Sequence, residues 1–185
     1  MIADIITEAE FKMAGAVEYA KEEFAAIRTG RAHPAMFNKI TAEYYGASTP
    51  LQQLATFQVP DARMVLITPY DASSMNAIEK AIRDSDLGVN PSNDGKSIRV
   101  TLPQLTEDRR KEYIKLARTK AEDARISVRG ARRTAKDALD KMVKDKEVGE
   151  DEVTRAEKQL DAATKKHTDA IDEVLKGKET ELLEV

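Results

Sequence analysis

The sequence predicts an α+β fold in two domains: a long antiparallel three-helix bundle with a small, mainly β, α/β domain inserted after its first helix, the whole bent like an L. Three observations carry this. Apolar residues recur at alternating steps of three and four over three long stretches, the signature of amphipathic helices. All 6 prolines, at positions 34, 50, 60, 69, 91 and 103, fall between the first two of those stretches, so no long helix crosses that region. Charged residues make up 34% of the chain and aromatic residues 5%, which favours long charge-faced helices over an all-β domain.

The first series runs Ile2, Ile6, Ala9, Met13, Ala16, Ala20, Phe24 and Ile27, a helix about 40 Å long at 1.5 Å per residue. Within the proline-rich segment, 40–45, 54–59, 63–68 and 97–102 are short β-rich runs bounded by turn residues, and Asn90 to Gly95 reads as a turn. Between them 73–84 reads as a helix, with Met75, Ile78 and Ile82 on one side. The second long series, Ala117, Ala121, Ala124, Val128, Ala131, Ala135, Ala138 and Met142, lies in a proline-free stretch that Thr106 is placed to cap, and it predicts a helix of about 60 Å. After a turn at 146–149, a third series, Val153, Ala156, Leu160, Ala163, His167, Ala170 and Val174, predicts a helix folding back on the second.

A single apolar stripe on the first helix cannot be buried alone, and matching stripes lie only beyond the α/β segment. The expected bundle is therefore 1–30 with 106–185, and the inserted domain 31–105. Two strands of chain cross that boundary, which places hinges at 29–34, through Gly30, Ala32, His33 and Pro34, and at 102–105, through Pro103 and Gln104. All three seams can close within one chain, so a monomer is expected.

The chemical inventory argues against an enzyme. With 0 cysteines there is no disulfide, thiolate metal site or cysteine nucleophile, and nothing calls for an oxidising compartment. No stretch reads as a signal peptide or membrane span, so a cytoplasmic location is expected. Of the 2 histidines, His33 lies in the linker and His167 in a helical seam, where a packed residue is the plainer reading than a ligand. The segment Asp94-Gly95-Lys96-Ser97 lacks the spaced glycines of a phosphate loop and reads as a hairpin turn. No metal or cofactor site is expected.

Charge distribution is more informative than the formal net of -3. Residues 106–136 hold 11 Arg or Lys against 5 Asp or Glu. On the second helix Lys111, Lys115, Arg118, Arg125, Arg129, Arg132 and Lys136 repeat at three, four or seven, and most follow a seam residue by one, about 100° round from the core. The expectation is a solvent-open cationic face. Arginine predominates, and its planar fork matches phosphate oxygens, while no aromatics interleave to stack bases; backbone docking on folded RNA follows. Two other readings stay open: a solvated face neutralised by acids of the neighbouring helices, and a helical adaptor that binds an acidic protein partner.

The motifs go further. Ile27-Arg28-Thr29-Gly30-Arg31-Ala32, Glu43-Tyr44-Tyr45-Gly46 and Thr49-Pro50-Leu51-Gln52-Gln53-Leu54-Ala55 closely resemble the ribosome recycling factor family. So do Asp86-Leu87-Gly88-Val89-Asn90-Pro91 and Leu105-Thr106-Glu107-Asp108-Arg109-Arg110-Lys111-Glu112, with Ala124-Arg125, Arg129 and Arg132-Arg133 continuing the likeness. Gly130 and Thr134 depart from the family pattern. The resemblance implies a factor that acts after termination, with elongation factor G and GTP, to split the ribosome into subunits. It implies that the helical arm meets large-subunit ribosomal RNA while the hinged domain transmits force. Carried over by motif, Arg28, Arg31, Arg110, Arg129, Arg132 and Arg133 would face RNA, Arg132 foremost. Lys111, Arg118 and Arg125 join them from the stripe. The chain shows no nucleotide site of its own, so the GTP would belong to the partner.

Overall fold

A computed structural model describes residues 1–184; Val185, the last residue of the expected bundle, lies outside the described residues. The architecture is mixed helix and sheet: α1 (Ile2–Ala26), β1 (Thr41–Tyr44), β2 (Ala47–Pro50), β3 (Ala55–Asp61), β4 (Met64–Pro69), α2 (Met75–Arg83), β5 (Ser92–Asn93), β6 (Ile98–Thr101), α3 (Glu107–Lys144) and α4 (Glu150–Leu183). Short 3-10 turns at Pro34–Phe37, Leu51–Gln53 and Ala72–Ser74 punctuate the segment between α1 and α3. The chain divides into two compact units, Met1–Phe24 with Ile114–Thr180, and Ala25–Tyr113 with the C-terminal residues from Glu181 on. These boundaries fall inside helices, so the segments 29–34 and 102–105 both belong to the second unit.

The first unit is built on alanine. Buried alanines line the seams of α1, α3 and α4, and larger residues fill what is left: Met13, Phe24, Leu139, Leu160 and Ile171 are fully buried. Ile6 and Ala9 of α1, Ala135 and Leu139 of α3, and Val153, Ala156 and Leu160 of α4 form one cluster. The seams differ from expectation at one end of each helix. In α3, Leu139 is fully buried and Ala138 only half-buried; in α4, Ile171 takes the core position expected of Ala170. Strict alternation of threes and fours averages 3.5 residues per turn, whereas a straight helix turns every 3.6, so after several turns an extra step of four restores phase.

Between α3 and α4 the chain reverses through a Schellman motif: Lys146 N–H donates to Val143 O at 3.0 Å and Glu147 N–H to Met142 O at 2.9 Å. Lys146 is in the left-handed region there, φ 60°, where glycine is usual. The first turn of α4 carries Glu150, Asp151 and Glu152, favourable against its N-terminal dipole.

In the second unit β3, β4, β6 and β5 form an antiparallel sheet in that order, and β1 pairs with β2 in a separate hairpin. Alternation sets the core face: Val65 opposes Val100 and Ile67 opposes Ile98, all four fully buried. Met75, Ile78 and Ile82 of α2 cover that face together with Leu51, Leu87 and Leu102. Pro60, which has no N–H to donate, coincides with a register shift between Gln58 and Asp61. Two strands went unread in the sequence. β2 turns back through Tyr45 (φ 49°) and Gly46 (φ 80°), the left-handed pair of a tight two-residue hairpin, and β5 pairs with β6 inside what reads as turn. The Asp94 carboxylate accepts from the Lys96 and Ser97 N–H groups, both at 2.9 Å, so Asp94 to Ser97 is the hairpin turn and not a phosphate loop.

Candidate nucleic-acid interface

The cationic face of α3 exists, but it is not the open ridge the sequence suggests. Arg118 Nε donates to Glu179 at 2.7 Å, Arg125 pairs with Asp172 at 2.7 Å, and Arg132 Nε donates to Asp161 at 2.7 Å. Glu122 of α3 itself takes Arg125 at 3.0 Å and Arg129 at 2.5 Å. Lys111 pairs with Glu107 at 3.2 Å. The expectation of a face unclaimed by carboxylates is therefore corrected. Its cause is tertiary: a stripe set 100° from the seam borders the adjacent helix, and α4 brings acids alongside that no spacing within α3 reveals.

The pairing has a register. From Arg118 to Arg125 is seven residues and from Glu179 back to Asp172 is seven, so the two rungs match in antiparallel order. Continuing that register sets Arg132 against Lys165, a like charge. Lys165 instead holds Asp169 at 2.6 Å, and Arg132 reaches a turn further along α4 to Asp161. Beyond this break Arg133 and Lys136 are exposed and make no ion pair among the described residues. Lys115 is likewise exposed.

Pairing does not remove these groups from solvent. The side chains of Arg118 and Arg129 are 66% and 51% exposed, and Arg132 is 38% exposed. Exposed pairs of this kind contribute little to stability, so a phosphate can replace a carboxylate with little net loss. Arg125, at 22%, is the most enclosed. Glu122 is held below the ordinary carboxylate value by its hydrogen bonds from Arg125 and then Arg129, and Arg118 is held above its ordinary value by its hydrogen bond to Glu179.

Two of the arginines carried over by motif are not exposed as an RNA-facing group would be. Arg28 is buried at 4% exposure, Nη1 donating to Leu87 O at 3.1 Å and Nη2 to Pro103 O. Burial pulls its pKa below the ordinary value. It braces three segments of the second unit, the residues after α1, the loop after α2 and the approach to α3. Arg110 is half-buried, Nη2 near Leu105 O at 3.4 Å and Nε buried without a partner. Arg31 is exposed, and its guanidinium makes no polar contact among the described residues; only its backbone is tied, to Thr29 Oγ1 at 3.3 Å.

The linker residues are ordered within their own unit. Ala32 N–H donates to Ala62 O at 2.7 Å, and His33 Nδ1 accepts from Ala35 N–H at 3.0 Å, capping the 3-10 turn that Pro34 opens. Gly30 stands where an added Cβ would meet only Glu184 O at 3.8 Å, so it carries no steric demand for glycine. His167 contacts Ala163 O through Nδ1 at 2.7 Å, as a half-buried helix residue does. Among the described residues no group of three or more His, Cys, Asp or Glu could hold a metal ion, and no helix is long and apolar enough to cross a membrane.

The profile of a family described as "Ribosome recycling factor" matches residues 20–183. The chain belongs to the ribosome recycling factor family. The ribosome-recycling factor of Kineococcus radiotolerans is 68% identical over 185 residues, and that of Cutibacterium acnes 65% identical over 184, each alignment covering 100% of both chains. A solution structure of a ribosome recycling factor is similar at TM-score 0.77 and 42% identity, covering 100% of this chain and 98% of that one. A second structure, described as models for the T. thermophilus ribosome recycling factor and the E. coli elongation factor G bound to the E. coli post-termination complex, is similar at TM-score 0.70 and 40% identity with 100% of each chain covered. Within this family member α3 carries a ladder of arginine–carboxylate pairs, and Arg28 is a buried brace.

Proposed function

We propose that the chain is a non-catalytic translation factor which, with elongation factor G and GTP, dissociates post-termination ribosomes into subunits for reuse. The observation that carries this reading is the end-to-end likeness to a ribosome recycling factor that has been placed beside elongation factor G on the post-termination complex. The α3 face supports it. Large-subunit ribosomal RNA would be met by Arg129, Arg132 and Arg133 at the break in the ladder, with Lys111, Arg118 and Arg125 exchanging carboxylates for phosphates along the same helix and Arg31 adding a contact from the second unit. In this reading the GTP is bound and hydrolysed by elongation factor G. The factor works as a monomer in the cytoplasm, where ribosomes are.

Force reaches the inserted domain through elongation factor G, and the segments at Gly30, Ala32, His33 and Pro34 and at Pro103 and Gln104 let that domain respond. The test is direct. Purified chain, elongation factor G and GTP added to post-termination ribosomes convert the 70S peak of a sucrose gradient into subunits. A gradient unchanged by the chain refutes the proposal.

A further inference from the structure

The outward side of α1 carries a feature that neither the fold nor the cationic face of α3 explains. Phe11, Gly15 and Tyr19 stand four residues apart, so they form one row along the helix, about 6 Å between successive members. At 100° per residue Phe11 lies nearly diametrically opposite the buried seam of Met13, Ala16, Ala20 and Phe24. Phe11 is 79% exposed and Tyr19 40% exposed. Between them Gly15 has nothing beyond its chain neighbours and its own helix backbone within 4 Å of where a Cβ would stand. Glycine in a helix interior is the least favoured residue short of proline, and nothing inside the chain needs it at this position. The row is a notch: two aromatic walls and a bare stretch of backbone, open to solvent.

The charge around the notch selects its occupant. Residues 4–23 carry 6 Asp or Glu against 2 Lys. Lys12 pairs with Glu8 at 3.2 Å and Lys21 with Glu18 at 3.4 Å, while Glu22, a turn beyond Glu18 on the same side, makes no ion pair among the described residues. Such a surface repels a phosphate backbone. It suits an extended segment rich in Lys and Arg, whose aliphatic stems lie over Gly15, whose cations stack on the two aromatic faces, and whose charge meets the flanking glutamates.

We infer that the Phe11–Gly15–Tyr19 face of α1 docks a basic polypeptide segment of the ribosome, so that the two sides of the helical unit meet different chemistry, RNA at α3 and protein at α1. This rests on the ribosome-binding reading above.

The experiment puts p-benzoylphenylalanine in place of Phe11 in the full chain, bound to purified 70S ribosomes and irradiated. The adduct is expected to survive nuclease, yield to protease and map to a Lys- or Arg-rich peptide. Adding Gly15→Gln fills the notch with a better helix former. It should raise the melting temperature by about 2–4 °C while cutting the adduct yield by roughly fivefold or more, which separates docking from folding. A nuclease-sensitive adduct, an adduct indifferent to Gly15→Gln, or no adduct from chain that still cosediments with ribosomes overturns this inference alone. Loss of cosedimentation for the unsubstituted chain overturns the proposed function and this inference with it.

Discussion

Arg28 and Arg132 both lie in motifs that resemble the ribosome recycling factor family, yet they answer to different physics. Arg28 is enclosed and hydrogen-bonded to two backbone carbonyls, Leu87 O and Pro103 O. Truncation leaves those acceptors unpaired and opens a void. Arg28→Ala is expected to destabilise the fold by about 2–4 kcal/mol in urea denaturation, with Arg28→Lys recovering little because an ammonium cannot reproduce the fork. An unchanged midpoint would return Arg28 to the surface. Arg132 is partly exposed and pairs with Asp161. Arg132→Ala is expected to weaken ribosome binding by about 1–3 kcal/mol with the melting temperature nearly unchanged, as for an exposed charge-assisted contact. Asp161→Asn, which releases the guanidinium, should leave binding equal or tighter. If Asp161→Asn weakens binding instead, the pair itself is the recognised element.

The turn joining α3 and α4 is held by its hydrogen bonds in spite of its residue at the left-handed position. Replacing Lys146 (φ 60°) with glycine is expected to stabilise the protein by up to about 1 kcal/mol, since the backbone penalty disappears and the side chain makes no hydrogen bond or ion pair among the described residues. A fall in melting temperature for Lys146→Gly would mean that unfolded-state freedom outweighs the relief. The helices and their buried sides were legible because periodicity is a local property: Ile6 through Phe24 in α1 and Ala117 through Ala135 in α3 sit where spacing puts them. Legibility failed where a second element decides. β2 and β5 take their strand character from β1 and β6 rather than from their own composition, and the slips to Leu139 and Ile171 follow from phase accumulated over several turns. The stripe on α3 was readable as to face, but its partners Glu179, Asp172 and Asp161 lie in another helix. They could have been found by matching the seven-residue spacing of Arg118 and Arg125 to that of Glu179 and Asp172. Arg28 was misplaced for the same reason, since its burial is set by loops roughly 60 and 75 residues away in sequence.

Across the whole chain, a formal charge of -3 conceals a helix whose cations outnumber its acids, held beside an acidic neighbour. That arrangement keeps the free protein from a large single-sign field, and in the proposed docking the arginines trade carboxylates for phosphates. Such trading makes affinity sensitive to salt, because each phosphate neutralised releases counterions. The most direct measurement is the affinity of the unsubstituted chain and of Arg132→Ala for purified large subunits across a salt series, plotted as the logarithm of the binding constant against the logarithm of salt concentration. A steep negative slope is expected for the unsubstituted chain, and a slope shallower by about 1 for Arg132→Ala, one phosphate contact having been lost. A flat response, or identical slopes for the two proteins, would contradict RNA docking through α3.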